Sequence, residues 1–168
     1  MRVLAVSILA ALAAPAAAQP LWEAELRMGY GVSMGKETDM STAHRTTPLT
    51  LEATAAIAVS DEPEVSTYGG ILVETVQHNS FGFVGGINLR VPEMPVRLSA
   101  GAIFGYAPAT KWGVSASGGM CKDRGALALC ADLQLTNYFA GDAIDNGHTI
   151  TEVQLVLGIG FDLGHGSK

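Results

Sequence analysis

Thr149-Ile-Thr-Glu-Val-Gln-Leu-Val-Leu-Gly-Ile-Gly-Phe-Asp-Leu163 is the stretch whose reading decides the fold. Val153, Leu155, Leu157, Ile159 and Phe161 occupy every second position and oppose Glu152, Gln154, Gly158 and Gly160. That is the period of a strand with one apolar and one polar face. Working back toward the start of the chain, the same alternation recurs in seven further units: Ala126 to Phe139, Trp112 to Cys121, Val96 to Tyr106, Phe81 to Val91, about Tyr68 to Gln77, Leu49 to Val59, and Trp22 to Gly35. The unit near Tyr68 alternates poorly, and Ile103 breaks the pattern of its own unit. Clusters of Gly, Pro, Asp or Asn separate the units, so the pattern predicts about eight antiparallel strands joined by turns. Beyond the first eighteen residues no segment reaches the roughly 18 uncharged apolar residues that a membrane helix needs.

Those first eighteen residues read differently. Arg2 gives a positive start, Val3 to Ala14 is apolar apart from Ser7, and Ala16-Ala17-Ala18 supplies small residues before Gln19-Pro20. This predicts a cleaved secretory signal peptide over 1–18 and one mature domain over 19–168. No cysteine follows the small-residue site, which argues against lipoprotein processing. The chain is 48% hydrophobic and 15% charged, with 20 glycines and a formal charge of -6, so a nucleic acid is a poor partner. Lys36, Lys111, Lys122 and Lys168 fall in stretches that read as turns, loops or tail, and no strand is expected to carry a lysine.

Eight strands with short links favour a closed up-and-down barrel, because closure removes exposed edges. Three features turn the apolar face outward. The polar face is rich in Gly and Ser with single charges, which suits a narrow interior; Arg27, Arg90 and Arg97 are matched there by Glu25, Glu52, Asp132 and Glu152. Next, Trp22 and Tyr30 share the apolar face of one strand, about 20 Å apart in height after tilt, close to the spacing of aromatic girdles. Trp22 and Phe161 fall to the lower rim, whereas Tyr30, Phe81, Phe83, Phe104, Tyr106, Trp112 and Phe139 fall toward the upper one. Finally, the long links Gly35 to Pro48 and Ala140 to His148 share one end. Ser60 to Thr67, Pro92 to Pro95 and Lys122 to Gly125, mostly shorter, share the other.

With this pattern the chain resembles the small eight-stranded outer-membrane barrels of Gram-negative bacteria over essentially its whole mature length, in pattern rather than in motif. The resemblance implies an all-β, eight-stranded antiparallel up-and-down transmembrane β-barrel, a monomer in the cell outer membrane in contact with its lipid and lipopolysaccharide. Its ending departs from the class, which usually closes on an aromatic residue; here Phe161-Asp162-Leu163 is followed by Gly164 to Lys168. That departure keeps a secreted soluble ligand-binding barrel as an alternative.

Cys121 and Cys130 flank Lys122-Asp123-Arg124-Gly125. An oxidising compartment would favour a disulfide closing this turn, with roughly 2 to 3 kcal/mol of stabilisation. A tight turn centred on Asp123-Arg124 would set Cys121 against Ala126 and keep the sulfurs apart, whereas a wider loop would oppose them. Otherwise they are two small buried thiols. His78-Asn79-Ser80 is similar to the His-x-Ser pairing of outer-membrane lipid A deacylases, in which histidine activates serine toward an ester. That family carries the pair on a late strand, which here reads Leu135-Thr136-Asn137-Tyr138, and the acid after His78, Glu93, maps to the opposite rim. His78 and Ser80 therefore read as turn residues, and lipid A acyl hydrolysis stays an alternative. His44, His78 and His148, with Asp39, Asp142 and Asp145, map to outer loops in no standard metal-ligand spacing. Gly29-x-Gly31 and Gly158-x-Gly160 lie within strands and read as small interior residues. No cofactor or metal is implied, the lumen charges read as a structural network rather than a conduction path, and the expected role is structural or surface interaction through the outer loops.

Overall fold

The alternating units become a wall of strands: β1 (Trp22–Gly35), β2 (His44–Thr46), β3 (Leu49–Asp61), β4 (Glu64–Val76), β5 (His78–Arg90), β6 (Val96–Ala107), β7 (Lys111–Arg124), β8 (Leu127–Ala140) and β9 (Ile150–Asp162). This is a computed structural model, and it describes residues 22–35, 44–46, 48–61, 64–76, 78–91, 94–124, 126–144 and 147–163. The signal peptide expected over 1–18 and the tail after Leu163 lie outside the described residues, as do Lys36, Asp39, Glu93 and Asp145. So do the side chains of Trp22, His44 and His78.

β2 is a three-residue strand on the upper end of β1. The other eight pair antiparallel in chain order, and β1 also pairs with β9 along Glu23 to Gly35, which closes the ring. They are 12 to 14 residues long. A 13-residue strand tilted by 40° rises about 33 Å, enough to cross the roughly 25 Å apolar band of such barrels.

Side-chain burial follows the pleat. Outward-facing Leu26, Met28, Tyr30, Leu133, Leu155 and Leu157 are half or more exposed or nearly so, while inward-facing Arg27, Glu52, Arg97, Asp132, Glu152 and Gln154 are buried. Among the described residues three bulges shift the pairing register, between β3 and β4, β5 and β6, and β7 and β8. The extra residues are Val59, Tyr106 and Phe139, and all three point outward.

The strands depart from the sequence expectation in four places. β4 begins at Glu64 and β3 runs to Asp61, so the link expected at Ser60 to Thr67 is only residues 62–63. β4 is hard to see because its faces are mixed: Leu72 is buried inside, whereas Thr67 and Gly69 face out. His78 and Ser80 are not turn residues; they open β5 opposite Val76 and Glu74. β7 continues to Arg124 and β8 starts at Leu127, so the turn centres on 125–126 and sets Cys121 directly against Cys130. Lys111 and Lys122 both lie within β7, against the expectation that no strand carries a lysine. Ile103, the apparent exception, sits regularly on the inner face, where other apolar side chains pack against it.

Candidate functional site: the lumen and its outer mouth

Around the ring the barrel strands follow the order β1, β3, β4, β5, β6, β7, β8, β9, so β1 and β6 stand diametrically opposite. Glu25 and Arg27 project inward from β1, Glu52 from β3, Arg97 from β6, and Asp132 and Gln134 from β8. The Arg27 guanidinium donates to Glu52 Oε2 at 2.9 Å and to Gln134 Oε1 at 3.2 Å, and lies 3.4 Å from Asp132. Arg97 donates to both Glu25 oxygens at 2.8 and 2.9 Å and to Asp132 Oδ2. The Arg97–Glu25 pair thus crosses the full diameter of the lumen. Glycines provide room for it: a β-carbon at Gly158 would collide with the Glu25 carboxylate, and one at Gly119 with Asp132.

Not every expected member joins this network. Arg90 sits at the lower rim, 3.5 Å from Glu23 and 3.8 Å from Glu64, two acids that the strand patterning had not matched to it. Glu152 lies higher, accepting from Gln154 Nε2 at 3.4 Å, while Gln154 Oε1 accepts from Thr50 at 2.9 Å.

The upper lumen has a different chemistry. Leu72, Val84, Ile103, Tyr138 and Ile150, from five strands, form an apolar cluster, and Ile144 of the β8–β9 link drops into it as a plug. The link is tied to the β6–β7 turn: Ala143 N donates to Thr110 O at 3.0 Å, and Thr110 Oγ1 donates to Asp142 Oδ2 at 2.8 Å. Gly141 and Gly147 flank the plug with φ of 127° and 81°, a backbone conformation that favours glycine. Beside the cluster, Lys111 of β7 pairs with Glu74 of β4, and its ammonium stands 4.3 Å from the centre of the Tyr138 ring. Ser80 Oγ donates to the same Glu74 carboxylate at 3.3 Å, so its hydroxyl is directed into the barrel.

Sequence reasoning missed Glu74, Lys111, Tyr138 and Ile144. Lys111 directly follows a Pro-Ala-Thr turn and reads as part of it. Its only signal is Gly105, its partner across the pair, whose β-carbon would strike the Lys111 side chain.

The outer wall carries aromatics unevenly. Phe81, Phe83, Phe104, Tyr106, Trp112 and Phe139 lie on the consecutive strands β5 to β8; Phe104 and Trp112 rings are 4.0 Å apart and Phe81 and Phe83 5.5 Å. Tyr30 on β1 is exposed, as is Phe161 near the lower end of β9. Cys121 and Cys130 are bonded inside the lumen, with Cα atoms 4.1 Å apart. Of the histidines, His44 lies in β2 and His78 in β5, and His148 is an exposed link residue; no group of metal-ligating side chains forms among the described residues.

A closed ring of eight antiparallel strands, apolar outside and crossed inside by ion pairs, is the fold of the small outer-membrane β-barrels. No protein-family model matches the chain, and no curated protein matches it. Among solved structures the chain is similar to neisserial surface protein A, NspA, with 9% identity and a TM-score of 0.51 over 84% of this chain and 97% of that one. Also similar are Ail, the attachment invasion locus protein of Yersinia pestis (14% identity, TM-score 0.46, 83% and 98% covered), and a de novo designed transmembrane β-barrel (18%, 0.43, 83% and 95%). What the NspA likeness carries is the fold.

Proposed function

We propose that this protein is exported, inserted as a monomer into a Gram-negative outer membrane, and acts through its outer loops as a structural or surface-interaction protein rather than as an enzyme. The observation that carries this is the inversion of polarity across the wall: buried Arg27, Arg97, Glu52 and Asp132 inside, exposed Leu, Ile, Val and aromatic residues outside. Water on that outer face is unfavourable by about 25 cal/mol per Å² of apolar surface, and a bilayer removes the penalty. A secreted ligand-binding barrel needs an apolar lumen, and here its middle is filled by ion pairs.

The loops follow from connectivity. The β1–β3 link (36–48) and the β8–β9 link (141–149) emerge at the same end and flank the neighbouring strands β9 and β1, whereas the links at 77 and 108–110 are short. Membrane lipid and lipopolysaccharide would meet the wall, and a partner would meet the two long links. The mature chain from Gln19 is expected to gain β-structure by circular dichroism in detergent micelles and not in plain buffer. A folded monomer in buffer alone overturns the reading. Expression is expected to leave the acyl pattern of lipid A unchanged by mass spectrometry; loss of an acyl chain that Ser80→Ala abolishes would make the protein a hydrolase instead.

A further inference from the structure

We propose that the Cys121–Cys130 disulfide is made before the barrel closes, by a disulfide-carrying oxidase acting on the unfolded chain, so that a thiol-oxidation step precedes assembly. This rests on the export reading above, which brings the chain into an oxidising compartment.

Both sulfurs are bonded on the lumen side of β7 and β8, with Cys121 9% and Cys130 5% exposed. Ala128 packs against them, and Gly158 of β9 is the cross-strand partner of Cys130. Asp132, two residues on from Cys130 on the same face, pairs with both Arg97 and Arg27, and Arg97 pairs in turn with Glu25. Outside stand Met120, Leu129 and Ala131, exposed on the apolar wall.

Exchange needs the attacking thiolate in line with both sulfurs of the oxidase disulfide. A folded oxidase cannot present its disulfide inside an eight-stranded lumen already filled by side chains. In the unfolded chain the two cysteines are nine residues apart and meet readily. One cysteine thiolate attacks the oxidase disulfide, forming a mixed disulfide and releasing one oxidase thiolate. The second cysteine attacks the sulfur of the first, which closes Cys121–Cys130 and releases the oxidase as its dithiol. Two electrons and two protons leave the chain. The consequence is a β7–β8 hairpin fixed in register, with Asp132 already placed for Arg27 and Arg97.

The test uses the full mature chain from Gln19, reduced, in two states: unfolded in urea and folded in micelles. Each is mixed with a thioredoxin-fold oxidase in its disulfide form, and loss of free thiols is followed by alkylation and mass spectrometry. The folded barrel is expected to close its disulfide more than about a hundredfold slower than the unfolded chain, because it must first open locally. Failure of the reduced chain to fold where the oxidised chain folds also supports the order. Equal rates overturn it. If neither form folds in micelles, the membrane reading itself fails and this proposal falls with it.

Discussion

The middle and the top of the lumen are sealed by opposite means. In the middle, Arg27 and Arg97 are shared among Glu25, Glu52 and Asp132, which come from the three strands β1, β3 and β8. At the top, Ile144 fills an apolar cluster and the Lys111–Glu74 ion pair stands beside it. An ionic layer depends on having every partner, since a lost carboxylate strands a buried guanidinium. An apolar layer loses in proportion to the volume removed. The two layers should therefore fail differently.

The sharpest way to break this comparison is Asp132→Ala, which takes one carboxylate from both arginines. It is expected to lower the unfolding free energy in micelles by about 3 to 5 kcal/mol, the range for breaking a buried pair. A denaturant titration checks it, and a loss smaller than that of the plug variant would erase the contrast. Ile144→Ala should lose about 2 to 3 kcal/mol, toward the low end for a buried isoleucine because a link can settle into part of the space. Lys111→Met leaves Glu74, among the described residues, with the Ser80 hydroxyl and is expected to lose about 2 kcal/mol. Adding Glu74→Gln should restore part of that, and a double-mutant cycle measures how much. Ser80→Ala should lose about 1 kcal/mol or less, since Lys111 still holds the carboxylate.

The layers also differed in how legible they were. The ionic layer was readable because its residues sit mid-strand among Gly and Ser, where the period-2 pattern assigns them a face; Glu25, Arg27, Glu52, Arg97 and Asp132 do meet. Arg90 was misassigned because alternation gives a face and not a height, and its partners Glu23 and Glu64 lie at the lower rim. The top was unreadable for other reasons. Ile144 belongs to a link, and only tertiary packing decides whether a link residue is buried. Lys111 occupies the first position of a strand beside a proline-containing turn, where local signals favour a loop. β4 was blurred because Leu72 points in while Thr67 and Thr75 point out, the reverse of the pattern elsewhere.

The ionic layer draws its residues from β1, β3, β6 and β8, and only β1 and β3 are neighbours in the ring. Only the Arg27–Glu52 bond, between direct cross-strand partners, can form within a hairpin. The bonds of Arg97 to Glu25 and of Arg27 to Asp132 exist only once the first and last strands have met with correct stagger. A chain that slipped by two residues would keep its outward face greasy and look acceptable to the bilayer, yet it would leave two guanidinium groups stranded inside. The layer thus acts as a proofreader of closure, distinguishing the right cylinder from near misses that the lipid alone would accept.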